Sequence, residues 1–350
     1  MNYLSALAFK KIKILFLIPF FVSCMQGESS LYDFAMGTAF SITLYKHGQY
    51  KVLDEIFTNI KTIENLMSVN IPSSDVSRIN AAAGIEAVHV NEKTFKVIER
   101  AIYFAYLSGG AFDPSIGALT SLWGIGNDNR NDSRNDYHRI PLQDDIDKIL
   151  SLVNWRNIVL DSENNTVFLT QEGMALDLGA ITKGYTVDRT VDIIRNAGIK
   201  RAKIDIGGEI YMLGEKTDKT PWRVGIQDPK GVHGGIIGFI QTGETSVVTS
   251  GIYERFFEKD GIHYHHILNP FNGYPADNEL LSVTLTASSA MDADALSTAI
   301  FVLGYENAGF LFETQPGIAA IFVFKDLNIK MSGDIDFTLT NKAFNSAMQE

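Results

Sequence analysis

Two kinds of apolar spacing alternate irregularly along this chain, and that order restricts its fold more than any other feature. Helical spacing, with apolar residues three or four apart, runs through 52–67 at Leu53, Ile56, Ile60, Ile63 and Met67. It recurs over 94–108, where Gly109-Gly110 gives a normal helix ending, over 183–197 before Gly198, and over 290–303 before Gly304. Between these lie runs rich in β-branched and aromatic residues: 34–45 with Gly37 inside it, 157–169, 202–213 and 318–324. From 222 to 283, short strand signals are separated by glycines and an Asn-Pro turn. A doubly wound parallel sheet needs strand and helix to alternate regularly, and the hairpin-like spacing of the second half speaks against it. The pattern predicts an α+β fold with largely antiparallel sheets and flanking helices. No internal repeat and no linker interrupts the 350 residues, which favours one domain.

That fold must form without crosslinks. The single cysteine excludes a disulfide framework and any multi-cysteine zinc or iron–sulfur site. It is Cys24, preceded by Lys10, Lys11 and Lys13, the short apolar run 14–22 and Ser23. A basic segment, an apolar stretch too short to span a membrane and a small residue form a secretory signal. The cysteine after Val-Ser looks like a bacterial lipobox, loosely matched because Phe21 stands where many carry Leu; an ordinary signal peptide with a chance cysteine is the alternative. The expected division is a signal peptide over 1–23, a polar tether over 24–32 with Cys24 as lipid anchor, and a folded body over 33–345. A polar loop is expected over 127–137. The full chain has 30 Lys+Arg against 41 Asp+Glu, a formal charge of −11. Removing 1–23 removes three lysines and no acid, so the body carries 27 − 41 = −14. A nucleic-acid partner is excluded on that balance, because phosphate neutralisation needs a basic surface.

Four clusters in the body could carry chemistry. Ala111-Phe112-Asp113-Pro114 follows Gly109-Gly110 and leads to Leu122-Trp123-Gly124; an Asp-Pro pair there also suits an ordinary turn. Over 177–184 (DLGAITKG), a strand ends in small residues and a helix begins, where backbone amides can face an anion and Lys183 adds a point charge. The spacing is not that of a P-loop. Asp205-Ile206-Gly207-Gly208-Glu209 allows close backbone approach to a ligand or a tight turn, and lacks the spacing of a dinucleotide fingerprint. In the fourth cluster Asp294 and Thr298 are four apart, so a helix projects both oxygens from one face. Such oxygens suit a hard cation such as Mg²⁺; the plain alternative is a solvated Asp and a Thr bonded to its own helix. His263, His265 and His266 show no zinc spacing, and no serine pairs with them as in a nucleophile elbow. Adjacent His265 and His266 would point to opposite faces of a strand, so at most one lines a site.

Read in order, these clusters resemble the ApbE family of FAD:protein FMN transferases. The resemblance runs from about Phe34 to Val323. It rests on Met36-Gly37-Thr38, Met67-Ser68, Ser77-Arg78-Ile79-Asn80, Gly110-Ala111-Phe112-Asp113-Pro114, Leu122-Trp123-Gly124 and the segment from Asp177 to Gly184. It continues through Ile206-Gly207-Gly208-Glu209, Trp222-Arg223-Val224-Gly225-Ile226, Ser250-Gly251, His266-Ile267, Asn269-Pro270, Gly273 and the segment from Ala293 to Ala299.

The resemblance implies a single domain related to the T-fold that binds FAD with Mg²⁺. It implies that Met36, Ala111, Phe112, Asp113, Asp177, Lys183 and Ile267 line the FAD site. The cation would be held by the Ala180 carbonyl and the side chains of Asp294 and Thr298. The implied chemistry is cleavage of the FAD pyrophosphate: a threonine hydroxyl of a target protein attacks the FMN phosphorus and AMP leaves. Lys183, Asp294 and His266 are the candidate catalytic residues, His266 as proton acceptor, with a structural role as its alternative. One departure concerns Asn70, which follows Met67-Ser68-Val69 where many members carry an aromatic residue. Asparagine cannot stack on a flavin or adenine ring, and members with Asn here resemble the spirochaete type that hydrolyses FAD to FMN and AMP. The expected partners are FAD, flavin-acceptor redox proteins of the membrane, and the membrane itself through the lipid on the periplasmic face of the inner membrane. A reading of a different class is a lipoprotein that carries FAD without turning it over.

Overall fold

The computed structural model describes residues 27–125, 140–231 and 234–346. Cys24, the signal-like run 1–23 and the polar loop expected over 127–137 lie outside the described residues. The chain opens with β1 (Ser29–Ala35), β2 (Thr38–Leu44), α1 (Tyr50–Met67), α2 (Asp75–Ala81), β3 (Val88–His89), α3 (Glu92–Leu107) and α4 (Gly117–Leu122). There follow α5 (Gln143–Leu150), β4 (Ile158–Asp161), β5 (Thr166–Leu169), α6 (Thr182–Asn196), β6 (Ala202–Ile206), β7 (Glu209–Leu213), β8 (Trp222–Gln227) and β9 (Ile236–Thr242). The remainder comprises β10 (Thr245–Gly251), β11 (Phe256–Lys259), β12 (Ile262–His265), β13 (Leu280–Ala287), α7 (Ala290–Leu303), α8 (Gly309–Thr314), β14 (Ala319–Phe324), β15 (Asn328–Ser332), β16 (Asp336–Leu339) and β17 (Asn345–Ser346).

A nine-stranded sheet, in the order β1-β2-β6-β7-β10-β13-β14-β15-β17, joins both ends of the folded chain into one α+β domain. Its neighbours are antiparallel except β15 with β17. One face is covered by helices: α1 and α6 against β1, β2 and β6, and α7 against β10 and β13. Part of the other face packs on the three-stranded sheet β16-β9-β8 through Trp222, Val224, Ile226 and Ile240. The middle strands β13 and β14 are therefore buried on both faces and read as continuous apolar runs. The five apolar positions spaced along 52–67 are the five buried residues of α1. Burying a side chain such as Ile56, Ile60 or Ile63 contributes roughly 1.5–3 kcal/mol each.

Two expectations need correction. The run 34–45 is not one strand: Met36 and Gly37, with φ of 54° and 71°, form the tip of the hairpin between β1 and β2. Positive φ at both central residues is the two-residue turn whose twist matches a hairpin. The expected tether 24–32 is also too long, because β1 begins at Ser29 and pairs with β2 from Ser29↔Leu44 onward. Leu31 supplies the reason, being 3% exposed beneath α1. The runs 157–169 and 202–213 each fold as a hairpin as well.

Candidate active site

The site begins with the antiparallel packing of α6 against α7. A Cβ at Gly184 would lie 2.2 Å from the Ala290 carbonyl oxygen, so only glycine lets the two backbones come this close. Each helix then donates its N-terminal amides to a carboxylate of the other. Gly184 N–H donates to Asp294 Oδ2 at 3.0 Å. Ala290 and Met291 N–H donate to Asp188 at 2.8 and 3.1 Å, and Ser289 Oγ adds a third bond at 2.7 Å. Amides exposed at a helix start favour negative charge, so this clasp places Asp294 against the first turn of α6. Burial pushes the Asp188 and Asp294 carboxyls upward in pKa.

Lys183 stands beside Gly184 and brings its ammonium into the same space. Nζ is 2.5 Å from Glu209 Oε1 and 3.6 Å from Asp294 Oδ1. Both carboxylate side chains are 4% exposed. Burial, and next the neighbouring Asp294 charge, push Glu209 above the ordinary carboxylate range. Lys183 is pushed upward, the two acids outweighing the opposing effect of its own burial. Thr298 lies one turn beyond Asp294 on α7, with Ser250 Oγ 3.4 Å from its hydroxyl and 2.8 Å from Ser297 Oγ.

Two hairpin tips close this end of the sheet. Gly207 and Gly208, both at positive φ, turn β6 into β7 so that Glu209 pairs with Ile206 and enters the sheet at once. A Cβ on Gly207 would lie 2.6 Å from Thr38 Cγ2, which seats this tip against the Met36–Gly37 tip. Met36 N–H donates to Glu64 Oε1 at 2.6 Å, and Met36 Sδ lies 3.6 Å from the Thr186 hydroxyl of α6. A non-glycine residue at positive φ is uncommon and clusters at binding sites.

The remaining expected residues stand on other loops and elements. Asn80 brackets the Leu176 backbone with two hydrogen bonds of 2.7 and 3.0 Å, immediately before Asp177. Asp177 accepts from Thr120 Oγ1 at 2.9 Å and from Gly179 N–H at 2.8 Å, shaping the turn that presents Ala180 ahead of α6. Ala111, Phe112 and Ile267 are buried in the core formed by α3, α7 and the central sheet. The Asp113 carboxylate is taken up by protein donors, Ser115 N–H and Oγ on one oxygen and Trp155 N–H on the other. Its side chain ties the loop to Ser115 and Trp155. Trp123 donates from Nε1 to the Gly273 carbonyl at 2.8 Å and so holds the Asn-Pro turn beyond His266. Asn70 is exposed just past the end of α1.

His265 and His266 diverge as their adjacency requires. His265 donates from Nε2 to the Ala276 carbonyl at 3.0 Å and meets Phe301 edge-on. His266 donates from Nδ1 to the Arg255 carbonyl at 3.2 Å. A carbonyl only accepts, so the proton sits on Nδ1 and Nε2 is the acceptor. Burial lowers His265 to about 4 and His266 to about 3. Both are neutral at neutral pH, and His266 is a weak proton acceptor until negative charge comes close.

These values carry a sign for stability. A histidine whose pKa is lower folded than unfolded contributes stability that is present above its unfolded pKa of about 6.5 and lost as pH falls toward the folded value. The buried acids slope the opposite way, so the clean observable is a difference between variants. Replacing His266 with Gln should flatten the decline in melting temperature between pH 6.5 and 4 relative to the unmodified protein, by about one proton of linkage. Parallel curves would show that His266 is not neutral in the folded state.

The site is a set of hard oxygen donors, an ammonium and helix-start amides at the end of an antiparallel sheet. The sequence model of the ApbE family matches residues 36–322. The chain belongs to the ApbE family. Among similar proteins, the FAD:protein FMN transferase of Treponema pallidum is 37% identical over 325 residues, spanning 88% of each chain. The one from Klebsiella pneumoniae is 39% identical over 310 residues, spanning 88% of this chain and 93% of its own. Among solved structures, the ApbE protein of Thermotoga maritima superposes with a TM-score of 0.76 at 34% identity over 88% of this chain and 96% of that one. The flavin transferase ApbE of Vibrio cholerae does so with a TM-score of 0.75 at 27% identity over 91% and 98%.

Set against the expected ApbE ligands, Asp294 and Thr298 are one turn apart on α7, and α6 begins two residues after Ala180. Among the described residues no group of three or more His, Cys, Asp or Glu is placed to hold a metal. An oxygen set with one carboxylate, one hydroxyl and one backbone carbonyl would not form such a group. It fits a cation that completes its shell with phosphate oxygens and water, and the buried Glu209 Oε2 without a hydrogen-bond partner points to an absent positive or donor group. The residue that sequence reasoning left out of the site is Glu209. The Gly207-Gly208 turn marks its position, but the apolar neighbours Ile210 and Met212 give no alternation that would set Glu209 inward; its burial shows only in the folded β7.

Proposed function

We propose that this chain is an FAD:protein FMN transferase that splits the FAD pyrophosphate with the help of Mg²⁺, held by Asp294, Thr298 and the Ala180 carbonyl. The observation that carries this reading is Lys183, flanked by Asp294 and Glu209 at the first turn of α6, where phosphate oxygens find an ammonium beside a carboxylate that can hold a cation. A divalent cation held there would neutralise the pyrophosphate oxygens and act as a Lewis acid on them. Lys183 binds a phosphate oxygen and offsets the charge that develops as the anhydride bond breaks. The hydroxyl oxygen of an acceptor threonine bonds to the FMN phosphorus, the bond to the bridging oxygen breaks, and AMP leaves with that electron pair. His266 Nε2 is the candidate acceptor of the hydroxyl proton, its basicity raised by the incoming phosphates. Met36, Ala111, Phe112, Asp177 and Ile267 would enclose the flavin nucleotide. Water in place of the threonine gives FMN and AMP, a hydrolysis that Asn70 would favour by leaving the ring unstacked.

Location follows from the sequence alone: a lipid on Cys24 would hold the enzyme at the periplasmic face of the inner membrane, near redox proteins of that membrane. Among the described residues no helix is long and apolar enough to cross a membrane. The test is to incubate the protein with FAD, MgCl₂ and a candidate acceptor domain, and to weigh the acceptor. A mass gain of one FMN less one water on a threonine supports transfer. Free FMN with an unmodified acceptor identifies a hydrolase instead. Replacing Asn70 with Tyr should slow FMN release about fivefold and leave FAD bound, as stacking contributes roughly 1 kcal/mol; an unchanged rate would remove Asn70 as the determinant.

A further inference from the structure

Glu209 is a buried acid held in an unusual position. The Gly207–Gly208 turn fixes it at the first residue of β7, its Oε1 takes the Lys183 ammonium at 2.5 Å, and its Oε2 is enclosed without a hydrogen-bond partner. Its side chain is 4% exposed. Asp294 Oδ1 shares the same ammonium at 3.6 Å, and the exposed Glu254 adds further negative field. Burial pushes both carboxyls upward, so before any ligand arrives the Lys183 charge is already offset by one acid, and the second adds a net negative charge as it ionises. A pyrophosphate brings more negative charge to it. The arrangement is unfavourable for the ligand unless a cation enters with it, because charges at close range in a water-poor site interact strongly.

We propose that Glu209 makes pyrophosphate binding conditional on a divalent cation and, as a positioning residue, holds the Lys183 ammonium ready for the phosphate. An ammonium has three donors. One is engaged by Glu209, a second is directed to Asp294, and the third remains for a phosphate oxygen. When a cation occupies Asp294, Glu209 is the partner that keeps Lys183 in place. The inference rests on the reading of this site as a pyrophosphate site and assigns the source of its cation dependence to one side chain.

The test compares the unmodified full chain with Glu209→Gln, which keeps shape and removes charge, and Glu209→Asp, which keeps charge. FAD affinity is measured by flavin fluorescence in EDTA, and kcat is measured with MgCl₂. Glu209→Gln should bind FAD about tenfold tighter in EDTA, since one nearby negative charge is gone. Its kcat with MgCl₂ should fall about tenfold, since the ammonium is no longer fixed. Glu209→Asp should keep the weak affinity in EDTA. A residue that only supports the fold cannot raise affinity and lower kcat together. Should the Gln variant fail to fold, Glu209→Asn is the neutral substitute for the EDTA titration. Glu209→Gln affinity in EDTA equal to or weaker than that of the unmodified protein, or equal shifts in the Gln and Asp variants, would overturn the inference. If the unmodified protein leaves FAD intact with MgCl₂, the transferase reading fails, while the EDTA titration still decides the role of Glu209.

Discussion

Replacing Asp294 with Asn should lower FAD cleavage about a thousandfold, on the order of 4 kcal/mol of transition-state stabilisation, while leaving the protein folded. The two consequences come from different oxygens and can be separated. The Asn side chain retains an acceptor for the Gly184 amide, which in the unmodified protein donates to Oδ2 at 3.0 Å. Removing that acceptor altogether would leave a buried amide unsatisfied at a cost of about 1–3 kcal/mol, so Asp294→Ala mixes lost stability with lost chemistry. What Asn removes is the charge that would attract the cation, on a side chain that is 4% exposed and faces Lys183. Melting curves within a few degrees of the unmodified protein, together with loss of AMP release, are the expected pair of results. Undiminished turnover would show that Asp294 does not hold the cation.

The other large effect is structural. Gly184→Val should destabilise the protein by about 3 kcal/mol or more and remove all activity with it. The added Cβ would meet the Ala290 carbonyl oxygen at 2.2 Å, its carbon at 2.6 Å and Met291 Cα at 2.7 Å, all of them backbone. Neither side can give way cheaply. The start of α7 is fixed by three bonds to Asp188, and the start of α6 by Asp294. Separating the helices would also pull Lys183 away from Asp294, so stability and chemistry should fail together. A midpoint of denaturation unchanged from the parent would mean that the two helices do not touch at Gly184.

The helices that carry the site were legible because they are long and one-sided. The apolar spacing of 52–67 names the buried residues of α1, and Ala290–Leu303 is read to the residue because Ser289 caps it and Gly304 ends it. The short helices α2, α4, α5 and α8 span about two turns or less and offer too few apolar positions to establish a period. Hairpins such as β1–β2 read as single runs because a two-residue turn such as Met36-Gly37 barely interrupts the alternation. Asp294, Thr298 and Lys183 stood out by residue type, yet what unites them is the α6–α7 contact at Gly184, separated from Ala290 by more than a hundred residues and invisible to local spacing. Several motif residues turn out to hold backbone: Asn80 on Leu176, Trp123 on Gly273 and Asp113 on Ser115 and Trp155. Sequence pattern marks such residues but does not separate holding a segment from touching a ligand.

AMP release from FAD, followed by chromatography with MgCl₂ and with EDTA for the unmodified protein and Asp294→Asn, tests the central claim most directly. AMP is expected in step with FMN, free or attached to an acceptor, only for the unmodified protein with MgCl₂. FAD unchanged over hours under that condition, or equal AMP release from Asp294→Asn, would contradict it.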